Sequence, residues 1–157
     1  MNRIVSAADM AIMLEKDTTY YTPPNKQDLV TIFKVNTSFD LGTDSIEKYI
    51  KDKPESLDDI ADKGQLRKQL QAYQRIYRLT PDYEEMSVLM NDNLDSAQSI
   101  NNIGKNAFVN KYGKTFGSVE KARIIYENAL QVIVNENALQ ISEKPMVFFA
   151  SFTFIYR

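Results

Sequence analysis

The sequence predicts an all-α fold, a compact multi-helix orthogonal domain with an apolar C-terminal tail, and three observations carry that expectation. Apolar residues recur at helical spacing in two long stretches. Leu66, Leu70, Tyr73 and Tyr77 fall at i, i+4, i+7 and i+11, and Ala122, Ile125, Tyr126, Ala129 and Ile133 form a second stripe. Five glycines and five prolines among 157 residues are too few for a turn-rich β-sandwich. Cap-forming Ser, Thr and Asp residues and glycine stops punctuate the periodic stretches where helix ends are needed.

Taken in order, Ser6 opens an S-x-x-D pattern with Asp9, a capping box for a helix over Ala7–Glu15 whose apolar members are Met10, Ile12, Met13 and Leu14. The run YYTPPN, Tyr20 to Asn25, is a connector, because each proline turns its predecessor away from the helical region. Gln27–Val35 reads as a helix burying Leu29, Val30, Ile32 and Phe33. The loop Thr37–Leu41 is anchored by Phe39 and Leu41. Asp44 or Ser45 caps a short helix over Ile46–Lys51, which ends before Pro54, and Ser56 offers a cap for Leu57–Ala61.

The main periodic helix spans Lys63 to Leu79. Thr80 is then placed to cap, with Pro81 in the first position of a helix reaching Asn91 and burying Tyr83, Met86, Leu89 and Met90. Asp95 caps a single-turn helix holding Ala97 and Ile100. Gly104 separates it from Asn106–Tyr112, which carries Ala107, Phe108 and Tyr112, and Gly113 is the expected stop. Ser118 opens the last helix, to Leu139. The expected core is Leu66, Leu70, Tyr73, Ile76, Tyr77, Leu89, Ile100, Phe108, Ile125, Tyr126 and Ala129. Residues 1–139 thus form one helical domain. Residues 140–157 form a tail whose segment Met146–Tyr156 is almost continuously apolar, suited to a buried strand or extended hook and prone to aggregate when exposed.

Composition bounds the chemistry. Hydrophobic residues at 43% and charged residues at 25% are ordinary for a globular domain, and a net charge of −2 gives no whole-chain attraction to nucleic acid or anionic membrane. The chain has no cysteine and no histidine, which removes disulfides, thiolate nucleophiles, Ser-His-Asp chemistry and the commonest transition-metal ligands. No enzyme activity, metal or cofactor is expected. The N-terminal stretch MNRIVSAADMAIMLEKD lacks the apolar run of a secretory signal, and no segment is long enough for a membrane-spanning helix.

The candidate interaction surface is the helix Lys63–Arg78, with five cations (Lys63, Arg67, Lys68, Arg75 and Arg78) and no acid. A nucleic-acid surface is the alternative reading. The following segment carries Asp82, Glu84, Glu85, Asp92 and Asp95, so charge complementarity between neighbouring antiparallel helices is the preferred one. The turn Leu94–Gly104 resembles a phosphate-clamping hairpin only weakly, with Lys105 alone nearby, and reads as a pair of short helices. The acid pairs Asp58–Asp59 and Glu84–Glu85 point apart on a helix and make no general acid–base pair. Gly104, Gly113 and Gly117 lack phosphate-loop spacing.

The stretch LRKQLQAYQRIYRLTPDYEEMSVLM resembles the A components of bacterial insecticidal toxin complexes (Tc toxins), together with virulence-plasmid A proteins and large "neuraminidase-like" chains. The matching residues are Leu66, Leu70, Gln74, Arg75, Tyr77, Arg78, Leu79, Thr80 and Pro81, then Leu89, Leu94, Ser96, Ala97, Ile100, Phe108, Val109, Tyr112 and Gly113. Ala122, Ile125, Tyr126 and Ala129 match the family's helix after that glycine. Upstream, Phe39, Asp40, Leu41, Ile46, Tyr49 and Ile50 extend the likeness, which covers about Leu29 to Leu139. The resemblance implies a non-catalytic segment of a helical shell. It also implies partners among other toxin-complex subunits or self-association, a secreted or extracellular setting, and no direct membrane insertion by this segment. Family members are far longer, so a fragment or truncated form of such a subunit is the expectation; a stand-alone helical interaction module is the rival.

Overall fold

The computed structural model describes the chain from Val5 to Glu143, with side chains as far as Leu139, and every regular element among the described residues is helical. Eight α-helices follow one another: α1 (Ala7–Lys16), α2 (Lys26–Val35), α3 (Ile46–Asp52), α4 (Lys63–Tyr77), α5 (Tyr83–Asn91), α6 (Ala97–Ile103), α7 (Lys105–Thr115) and α8 (Val119–Glu143). A 3₁₀ turn, Pro54–Leu57, lies between α3 and α4. The expected tail strand Met146–Tyr156 lies outside the described residues. The domain edge expected at residue 139 falls inside α8.

Helices α1 and α2 pack as a pair, and α6, α7 and α8 pack as a second group. Helix α4 joins them, touching α2 and α3 on one side and α5 on the other. One continuous core results, with Met10, Leu29, Leu66, Tyr73, Ile76, Met86, Leu89, Ile100, Phe108 and Ala129 fully enclosed. Its aromatic centre is Tyr73, whose ring meets Phe33 of α2 and Tyr21 of the connector edge-on, with centroids 6.2 and 6.3 Å away. A second aromatic run, Phe108–Tyr112–Phe116 with Tyr126, locks α7 onto α8.

Polar ties complete the joints. Asp17, just past α1, accepts hydrogen bonds from the Thr19, Tyr20 and Tyr21 amides (2.8, 2.8 and 3.1 Å) and from the Tyr83 hydroxyl of α5 (2.8 Å). Burial works against the charge of Asp17, but these four donors outweigh it and hold the carboxyl below its usual range. Gln74 of α4 donates to the Leu41 and Asp44 carbonyls, pinning the loop before α3. Asn128 of α8 donates to the Leu79 carbonyl (3.0 Å), and Glu85 of α5 meets both the Thr80 hydroxyl (2.6 Å) and Lys121 of α8 (3.5 Å).

Several local expectations need correction. Ile12 and Met13 face outward; the buried face of α1 is Ala7, Met10, Ala11 and Leu14, the set spaced at three and four residues. No helix forms over Leu57–Ala61: Ser56 donates its hydroxyl to the Lys53 carbonyl, and Asp62 caps α4 too soon for another helix to fit. Thr80 does not cap α5. Asp82 does, accepting from the Glu85 amide at 3.0 Å, while Thr80 binds the Glu85 carboxylate instead. Ser96 rather than Asp95 caps α6, in a reciprocal box with Ser99. Tyr77 is half-buried, because Ile76 points more directly into the core; the Tyr77 ring instead lies over the backbone at Gly42.

The stop of α7 is also displaced. Gly113 sits inside that helix, buried where α8 begins, and a Cβ there would stand 3.2 Å from the Val119 backbone. The stop is Gly117, at φ +68°, and the Ser118 amide donates to the Gly113 carbonyl (2.9 Å) while the Gly117 amide donates to Lys114 (3.3 Å). Those two bonds make a Schellman closure, which requires the left-handed residue glycine supplies. Helix α5 ends the same way with Asn93 at φ +60° and the Leu94 amide on the Leu89 carbonyl (2.9 Å).

Five substitutions check this account. In urea denaturation, Tyr73→Ala should lose about 3–5 kcal/mol of stability and Tyr77→Ala less than half of that. Tyr73→Phe should cost nothing or stabilise, since the buried Tyr73 hydroxyl has no hydrogen-bond partner among the described residues. Gly117→Ala should cost about 1 kcal/mol from its left-handed backbone, read as a lowered melting temperature. Asp17→Asn should lose about 2 kcal/mol at neutral pH. Because the folded carboxyl titrates below its unfolded value of about 3.9, this stabilisation is present above that pH and lost as the pH falls through the folded value. The gap between Asp17→Asn and the parent protein should therefore narrow in melts below about pH 4.

Candidate functional site

Helix α4 carries the candidate cations on one side. At 100° per residue, Lys63, Arg67, Lys68, Arg75 and Arg78 fall within an arc of about 140°, opposite the buried Leu66, Tyr73 and Ile76. All five are exposed. Core packing produces this placement, since the apolar stripe turns inward and leaves the cations to solvent.

The face is not uniformly positive. Arg67 meets Glu47 of α3 at 3.5 Å, and Gln71 donates to the same carboxylate at 3.1 Å. Arg75 donates through Nε to the Asp95 backbone carbonyl at 2.9 Å, fixing the turn between α5 and α6. Lys63, Lys68 and Arg78 make no ion pair among the described residues. The expected charge pairing of α4 with α5 does not form. Glu85 turns to Lys121 of α8, Asp92 binds the Tyr112 hydroxyl (2.7 Å) and Lys111 of α7 (3.3 Å), and Asp82 is spent as a cap. Charge complementarity acts across the α5–α7–α8 joints, which the linear order of charges does not reveal.

Beside this face lies an open cleft of about 250 Å³, between α4, the turn after α5 and the Tyr21–Pro24 connector. Its walls include Lys68, Gln69, Tyr21 and Asp95, over apolar Ala72 and Met90. Gln69 donates its amide to the Tyr21 hydroxyl at 2.7 Å, and burial raises the Tyr21 pKa, so the phenol stays neutral. No sequence motif marks this cleft, because its walls come from three separate segments. Lys68 was legible only as one member of a basic run.

The second surface is α8. Its first half packs on α6 and α7 through Ala122, Ile125, Tyr126 and Ala129, as the stripe predicts, and Tyr126 donates to Asn101 of α6 at 3.1 Å. From Val134 to Leu139 every residue is exposed, Val134 to 57% and Leu139 to 63%. Two other open concavities of similar size, about 260 and 240 Å³, lie beside Lys48 and Tyr49 and beside Leu41 and Tyr77. A small apolar pocket of about 20 Å³ lies between Phe33, Ile50 and Leu70. Among the described residues no group of three or more His, Cys, Asp or Glu is placed to hold a metal ion, and no helix is long and apolar enough to cross a membrane.

The fold and these surfaces define an all-α domain with a basic face, open polar clefts and an exposed stretch of α8 from Val134 to Leu139. No family model matches the chain, and neither a curated protein nor a solved structure matches it.

Proposed function

We propose that this chain is a non-enzymatic helical packing module of a virulence-type assembly, similar in role to the helical shell of toxin-complex A components. The observation that supports it is α8. The helix runs ten residues past Ile133, the last member of its inward stripe, and holds Leu130, Val134 and Leu139 in solvent. From Val134 to Leu139 this helix buries none of its side chains among the described residues. Its exposed apolar side chains are the kind that bury against another subunit.

A non-catalytic role also accords with how the acids are used. The two most enclosed carboxylates, Asp17 and Glu85, are occupied by hydrogen bonds or an ion pair that hold helices together. The partner is a second helical surface in the same assembly, supplied by another toxin-complex subunit or, in the purified protein, by another copy of this chain. A secreted or extracellular setting belongs to this reading.

Analytical ultracentrifugation over a wide concentration range tests it. The chain should self-associate, or form a mixed complex with a toxin-complex A subunit. The double substitution Leu130→Lys with Val134→Lys should weaken that association at least about tenfold while leaving the helical circular dichroism unchanged. A monomer at every concentration, alone and in the mixture, would overturn the reading.

A further inference from the structure

The polar cleft beside α4 has features that packing does not explain. Gln69 is only 7% exposed, and with its amide nitrogen committed to Tyr21 its carbonyl oxygen is buried with no hydrogen-bond partner. Such an atom costs stability unless something donates to it. Lys68 and Asp95 line the same cleft, and neither has an ion-pair partner among the described residues; they do not pair with each other. Asp95 is also held in place: Arg75 grips its backbone carbonyl, and the left-handed Asn93 fixes the turn that carries it. The floor, Ala72 and Met90, is apolar and buried.

We propose that this cleft binds a free α-amino acid. The ligand's ammonium lies against the Asp95 carboxylate, with the Gln69 side chain turning to offer its carbonyl; the ligand's carboxylate takes the Lys68 ammonium, and its side chain covers Met90 and Ala72. A ligand with both charges matches this arrangement because each wall charge then gains a charge-assisted hydrogen bond. A simple anion would leave Asp95 repelling it, and a simple cation would face Lys68. A nucleotide fails for the same reason, its phosphates being repelled by Asp95. At about 250 Å³ the cleft lies just below the usual size of drug-sized ligand sites, which limits its occupant to a small molecule. This binding is independent of the packing role of α8, since none of the residues involved lies on that helix.

The test is a titration of the isotope-labelled chain with L-leucine followed by ¹H–¹⁵N correlation spectra. Saturable shifts should centre on the Gln69 side-chain amide and on the backbone amides of Lys68, Asn93 and Asp95. N-acetyl-leucine, which lacks the ammonium, and leucinamide, which lacks the carboxylate, should each bind roughly tenfold more weakly. Lys68→Met and Asp95→Asn, both at exposed positions, should each weaken leucine binding roughly tenfold with unchanged melting temperature. Absence of a saturable shift at about 10 mM leucine, tenfold above a Kd of about 1 mM, would overturn the proposal. So would binding that the capped ligands or the two variants retain in full.

Discussion

Tyr73 is the point at which the α1–α2 pair meets α4 and α5. Its ring is held edge-on by Phe33 and Tyr21, and its hydroxyl lies in the neighbourhood of Tyr83 and Asp17, so α2, the connector, α5 and the end of α1 all meet around one α4 side chain. Burial drives the Tyr73 pKa well above the phenol range, and the side chain is a neutral packing element. Because α4 is the only helix that touches both α2 and α5 among the principal packing pairs, its buried face sets the geometry of everything attached to it. The loop before α3 is pinned through Gln74, and the turn before α6 through Arg75.

The same helix explains why structure and candidate function are adjacent. Turning Leu66, Tyr73 and Ile76 inward obliges Lys68 and Arg75 to face out, and places Gln69 at the boundary between core and solvent. A boundary amide can be buried yet reach an open cleft, which is how an unpartnered carbonyl comes to stand beside two free charges. The proposed amino-acid site thus grows from the register of a core helix. The proposed packing surface arises differently, from the exposed apolar side chains Leu130, Val134 and Leu139 of α8.

Much of the helical architecture was legible because it rests on spacing. The inward residues of α2, α5 and α8 stand where the 3.6-residue period puts them, and only Tyr77 among the expected core residues is half-exposed. Helix ends were less legible, because several cap-forming residues stand within reach of each start. Thr80 and Asp82, or Asp95 and Ser96, are equivalent on local grounds; the choice depends on what else each side chain can bind, as Thr80 shows by turning to Glu85. The role of Asp17 was missed although D-T-T-Y-Y carries the signal of a carboxylate followed by free amides.

By itself the sequence determined the all-α class, the periodic faces, the absence of thiol and imidazole chemistry, and the segregation of cations on α4. These follow from residue types and local period, which act over a few turns of chain. The tertiary structure alone decided which acid meets which base, which glycine ends α7, and that Lys68, Gln69 and Asp95 share one cleft. Those outcomes depend on distances between segments tens of residues apart. They are set by how volumes fill the core around Tyr73, and periodicity carries no information about that.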